Sequence, residues 1–167
     1  TAYEIGLGIP ADPLLRSSYY YNHKEQRRIE KMTKTYYFDM DGVLANFHKA
    51  YATNRGVALS RKGMADLEPF VENVALVRNL ITLGVKVYIL TKAANEEGMK
   101  GKIEWLAKYI PELDLEHFIC IVGHGKKVDF IREDGVLVDD DEKNLKPWAK
   151  AGHEVYLVEE KGAVIAF

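Results

Sequence analysis

From residue 35 onward, short apolar runs alternate with longer amphipathic segments, and that alternation narrows the possible folds more than any other feature of the chain. Tyr36-Tyr37-Phe38 is the first run and Val85-Lys86-Val87-Tyr88-Ile89-Leu90 the second; later runs cover 118–122, 136–138 and 155–158. Each has the length and β-branched or aromatic content of a buried strand. Between them lie helical patterns over 70–83, stopped by Gly84, and over 95–109, ended by Pro111. A short helix is predicted near 128–132, and another over 144–151, closed by Gly152. Gly98 and Gly101 weaken the first turn of the 95–109 helix. Strands that alternate with helices pair in parallel through right-handed crossovers. The expectation is an α/β fold: a three-layer α/β/α sandwich around a parallel five-stranded sheet, in the order 5-4-1-2-3.

Two stretches stand outside the repeat. Residues 1–34 are polar, punctuated by Pro10 and Pro13, and carry the triplet Tyr19-Tyr20-Tyr21. They show no strong periodicity before Asn22; a helix over 22–31 and a partly ordered tail are both open readings, in an N-terminal extension suited to self-association or partner binding. Residues 45–68 open with Phe47 and Tyr51 one helical turn apart and are then interrupted by Gly56 and Gly63. They read as a small helical cap inserted after the first strand of a domain covering 35–167.

The chemistry collects at two strand ends. Tyr36-Tyr37-Phe38 runs straight into Asp39-Met40-Asp41-Gly42, and 136–138 into Asp139-Asp140-Asp141-Glu142. Open α/β sheets place their sites at such carboxyl ends. Asp-Gly also begins ordinary turns, and acids at a helix start are ordinary caps. Two acids at i and i+2 of a strand point the same way and repel, so they call for a cation, a shared proton or separate roles. The two clusters, roughly 100 residues apart, meet only if their strands are neighbours in the sheet. Oxygen ligands gathered in that way suit a hard divalent cation, magnesium foremost.

Composition excludes several alternatives. With 47% hydrophobic and 29% charged residues the chain resembles an ordinary globular domain. Its net charge of −2 gives no general attraction to extended nucleic acid or to anionic membranes. No apolar run approaches the ~20 residues that span a bilayer, and no signal peptide is evident. The single Cys120 lies in an apolar run and reads as a core residue without a disulfide partner, which points to the cytoplasm. Five scattered histidines lack zinc-site spacing.

Four motifs in order resemble the haloacid dehalogenase superfamily, and within it the 5'(3')-deoxyribonucleotidase-like branch. They are Asp39-Met40-Asp41-Gly42-Val43-Leu44; Ile89-Leu90-Thr91; Lys126 or Lys127 ahead of Val128-Asp129; and Leu137-Val138-Asp139-Asp140 with Asn144 downstream. The resemblance covers residues 35–158. It implies that Asp39 attacks phosphorus to form an aspartyl-phosphate and that Asp41 is the general acid and base. Magnesium would be held by Asp39, the Asp41 backbone carbonyl and Asp139, with Asp140 in support. Thr91 and one of the lysines, Lys127 preferred over Lys126, would neutralise the transferring phosphoryl group. Gly42 would bring its amide to the phosphate. Phe47, by the same resemblance, would face a nucleoside base, although packing against Tyr51 is an equal reading of its spacing.

The implied activity is magnesium-dependent hydrolysis of phosphomonoesters, with (deoxy)nucleoside monophosphates as the first substrate class. Another small phosphate ester, or a nucleic-acid terminal phosphate, is the alternative. A non-enzymatic module using residues 1–34 is disfavoured by the retention of both Asp39 and Asp41.

Overall fold

The computed structural model describes residues 12–166, which divide into two compact units between Thr33 and Lys34. In the first, a single helix, α1 (Pro13–Thr33), is longer than the sequence pattern predicts. Its start is set by Asp12, whose Oδ1 accepts from the amides of Leu14 (2.8 Å) and Leu15 (3.2 Å), and by Pro13 in the first turn. Leu14, Tyr21 and Ile29 are all exposed, so no apolar stripe marks the helix in the sequence.

The second unit is built on strands β1 (Tyr36–Phe38), β2 (Val87–Ala93), β3 (Phe118–Val122), β4 (Val136–Asp139) and β5 (Val155–Leu157). All pairs are parallel and the order is β3-β2-β1-β4-β5, as the alternation predicts. Side chains alternate between two cores. Tyr36, Phe38, Val87, Ile89, Val136 and Val138 enter one; Tyr37, Tyr88, Leu90 and Leu137 enter the other. Helices α5 (Val71–Thr82) and α6 (Glu96–Tyr109) contribute Val74, Val77, Trp105 and Leu106 to the first core. Helix α7 (Glu142–Lys150) contributes Leu145 and Trp148 to the second, beside the short 3₁₀ turn Lys127–Phe130. Both faces of the sheet are thus covered in a Rossmann-like layering, and the winding reverses between β1 and β4. That reversal opens a crevice at the carboxyl ends of those two strands.

Three short helices follow β1: α2 (Phe47–Thr53), α3 (Arg55–Ala58) and α4 (Arg61–Ala65). Gly56 and Gly63 do not break this region, contrary to the sequence reading. The breaks fall at Asn54 and Ser60, whose side chains cap the next helices by accepting from the amides of Val57 and Gly63. Gly63 and Gly101 serve close approach: a Cβ on Gly63 would collide with the Val57 carbonyl of α3, and one on Gly101 with the Arg61 carbonyl, where α4 packs on α6. The same packing explains how α6 tolerates Gly101. Strand β2 also runs two residues past Thr91, because β3 continues the ladder after β1 has ended. Among the described residues no helix is long and apolar enough to cross a membrane.

Candidate functional site

β1 stops at Phe38, and the chain then folds into a tight loop. Asp39 still donates its amide to the Val138 carbonyl (2.9 Å), which ties it to the end of β4. Met40 accepts from the amides of both Leu44 and Ala45. Asn73, buried on α5, braces the loop: its Nδ2 donates to the carbonyls of Val43 and Ala163, each at 2.9 Å. Its Oδ1 accepts from the Ile165 amide (3.0 Å), so every polar group of this buried amide is partnered.

Asp39, Asp139 and Asp140 meet in the crevice, each with an oxygen within 4.8 Å of the others, close enough to hold a metal ion. Asp39 and Asp139 are buried, and Asp140 is half-buried. Lys127 stands between the first two. Its Nζ donates to Asp139 Oδ2 (2.7 Å) and lies 2.7 Å from Asp39 Oδ1. Burial alone would lower Lys127, but Asp39 and Asp139 carry it above the usual lysine value. Asn144, on the first turn of α7, gives Nδ2 to both Asp139 oxygens (3.2 and 3.1 Å), and the Asp141 amide donates to Asp139 Oδ1 (2.9 Å). Burial, and then the Asp39 charge, pushes both Asp139 and Asp140 up to about 6. Three carboxyls facing one ammonium leave the cluster short of positive charge, which is the condition a divalent cation relieves.

Asp41 stands outside that group. Its Oδ1 accepts from Lys102 Nζ at 2.6 Å, and the same ammonium donates to Thr91 Oγ1 at 3.1 Å. Burial raises the Asp41 pKa; Lys102 opposes that shift and Asp39 adds to it. The two acids of the Asp39–Asp41 pair therefore do not share one partner, since each is held by its own buried lysine.

Lys102 was not among the residues singled out in the sequence, yet it left a signal. It lies four residues after Gly98 and three and four before Trp105 and Leu106, all buried on α6, where the pattern calls for an apolar side chain. A lysine on a buried stripe needs a carboxylate partner. Asp41, 61 residues away, supplies it.

The remaining expected residues divide. Gly42 has φ +85, and a Cβ there would collide with the Asp140 carboxylate, so glycine gives Asp140 its room. Its amide donates to the Ala45 carbonyl within the loop (2.9 Å). Phe47 packs partly buried against the first core and against Tyr51, with ring centroids 5.3 Å apart. Its neighbour His48 brings Nε2 to 3.4 Å from Asp140 Oδ2, while burial and then Lys161 lower the imidazole pKa. Lys126, unlike Lys127, does not enter the acid cluster. It lines a cavity of about 150 Å³ beside it, together with Lys92, Lys127, Lys143, Asp141 and Asn144. No protein-family model matches this sequence, and no curated protein matches it either.

Proposed function

We propose that this protein is a magnesium-dependent phosphomonoester hydrolase of the haloacid dehalogenase type, working through an aspartyl-phosphate on Asp39. The observation that carries the reading is the sorting of the acids. Asp39, Asp139 and Asp140 cluster within 4.8 Å, while Asp41 is held apart by Lys102. Such a split gives the nucleophile and the proton donor different environments, as two carboxyls with two roles require. Magnesium, held by Asp39 and Asp139 with Asp140 beside them, would neutralise phosphoryl charge and orient the ester for in-line attack.

The residues of the chain account for the rest. Lys127 keeps the Asp39 carboxylate in place and offers a fixed positive charge to the phosphoryl oxygens. Asp39 attacks phosphorus while the leaving alkoxide takes a proton from Asp41, whose raised pKa favours the protonated form needed for that step. The same carboxylate, now deprotonated, then takes a proton from the water that cleaves the acyl phosphate. Lys102, itself bonded to Thr91 Oγ1, holds the Asp41 carboxyl in one orientation through both steps.

(Deoxy)nucleoside monophosphates are the first substrate class. A second reading, a different small phosphate ester, draws support from Phe47, which packs against Tyr51 and the core. Phosphate release from deoxy- and ribonucleoside monophosphates, sugar phosphates and p-nitrophenyl phosphate, with and without magnesium, tests both readings. Magnesium-dependent release that disappears in Asp39→Asn is the expected result. Release that persists in Asp39→Asn, or none at all, would sink the mechanism; uniform release across the panel would discard only the nucleotide.

A further inference from the structure

Beside the acid cluster lies the cavity of about 150 Å³ between β2, the 127–130 turn and the start of α7, and its charge is unlike that of the chain. Lys92, Lys126 and Lys143 line it against one carboxylate, Asp141, in a protein whose net charge is −2. Asp141 Oδ1 is already engaged, accepting from the Lys143 amide at 2.9 Å to cap α7. Among the described residues, neither Lys126 nor Lys143 takes part in an ion pair, whereas Lys127 is matched by Asp39 and Asp139. Lys92 donates only to the neutral Asn144 Oδ1, at 3.1 Å. Three lysines that line one cavity without matching carboxylates give it a local excess of positive charge, which suits an anion.

The cavity and the acid cluster share two walls. Lys127 reaches the acids from one side, and Asn144 bonds Asp139 through Nδ2 and Lys92 through Oδ1. The acid cluster and the cavity are thus joined through Lys127 and Asn144, the side on which a ligand with one phosphoryl group at Asp39 would meet these lysines. The volume admits several waters or one tetrahedral oxyanion and is too small for a nucleobase with its sugar. We propose that the Lys92–Lys126–Lys143 cavity is a second-phosphate subsite, so that the preferred substrates are bisphosphorylated esters. The proposal rests on the phosphatase reading for its first phosphate and specifies the substrate class.

Both a nucleoside and a sugar can carry the second phosphate, and paired titrations separate them. Adenosine 3',5'-bisphosphate is compared with adenosine 5'-monophosphate, and fructose 1,6-bisphosphate with fructose 6-phosphate. Binding to the full chain is measured by calorimetry at low ionic strength, without magnesium so that hydrolysis does not proceed. At least one bisphosphate should bind about tenfold or more tightly than its monophosphate, as new charge-assisted contacts predict. The preference should fall towards unity in Lys126→Ala/Lys143→Ala and weaken as salt is raised. Lys126→Gln/Lys143→Gln, which keeps chain length without charge, should behave the same if folding of the alanine variant is impaired. Equal affinities within both pairs, no binding of any of the four, or a preference that survives both double variants would overturn the subsite. A bisphosphate preference in a protein that, with magnesium, hydrolyses neither the panel nor the two bisphosphates would uphold the subsite and reject the phosphatase.

Discussion

Two buried lysines organise this site, and they do different things. Lys127 comes from a short 3₁₀ turn and joins two carboxylates that are themselves nearly enclosed, with side chains 10% and 0% exposed. Lys102 comes from the middle of a packed helix and joins one carboxylate, 21% exposed, to a threonine hydroxyl. The first arrangement balances charge that has nowhere else to go. The second holds a single acid by one oxygen while keeping it within reach of water. A group that exchanges protons with substrate must be reachable, and a group that only anchors need not be. On the proposed mechanism, the contrast makes Lys127 the fixed charge that holds Asp39 and Asp139, and Lys102 the residue that positions the proton carrier Asp41.

The largest effect expected on this view is in catalysis at the Asp41–Lys102 pair. Asp41→Asn should lower kcat by ~10²–10⁴-fold, the usual worth of general acid–base catalysis, while binding of the substrate changes little. Steady-state kinetics on the best substrate of the panel would check it, and a wild-type rate would remove Asp41 from the mechanism. Next comes stability at the enclosed pair. Lys127→Ala strands two buried carboxylates and should cost about 3–5 kcal/mol in urea unfolding without magnesium. Lys102→Met leaves one partly exposed acid and should cost less, about 1–3 kcal/mol. Equal losses in the two variants would break the comparison between the lysines.

The pH dependence is a smaller effect with a definite sign. Folding raises Asp139 and Asp140 from 3.8 to about 6, so between those values the folded state holds more protons than the unfolded one. Without metal, these two groups make the protein less stable as pH rises from about 4 to about 6. Asp140→Asn should therefore gain stability relative to the wild type across that window, seen as a difference in Tm at each pH. Added magnesium should shrink the difference. If the variant instead loses ground as pH rises, Asp140 is not held above its ordinary value. The smallest effect belongs to Phe47→Ala. If the ring stacks on a base, KM rises for nucleotides and not for p-nitrophenyl phosphate, by a factor set by the ~1–3 kcal/mol of base stacking. Equal changes for both substrates would leave Phe47 a packing residue beside Tyr51.

Much of the sheet was legible because a strand buried on both faces must be a short continuous apolar run, and each run here ends in a recognisable signal. The first and fourth strands could be read together with the acids that follow them. Helix α1 was harder: a helix exposed on most sides has no stripe, and only Asp12-Pro13 announces its start. In the region after β1, Gly63 reads as an interruption because a glycine needed for close approach and one that ends a helix are the same letter.

For the site, the sequence by itself determined which residue types stand at the ends of β1 and β4, because strand periodicity and the turn chemistry after it are local properties. Tertiary structure alone decided the partners. Whether Lys126 or Lys127 reaches the acids depends on which face of a four-residue turn looks into the crevice, a difference of one position that composition does not encode. Lys102 meets Asp41 across 61 residues only because α6 packs on the same face of the sheet that Phe38 and Ile89 enter. A charge is cheap to place in a sequence and costly to bury, so its function appears only when the fold shows what lies opposite it.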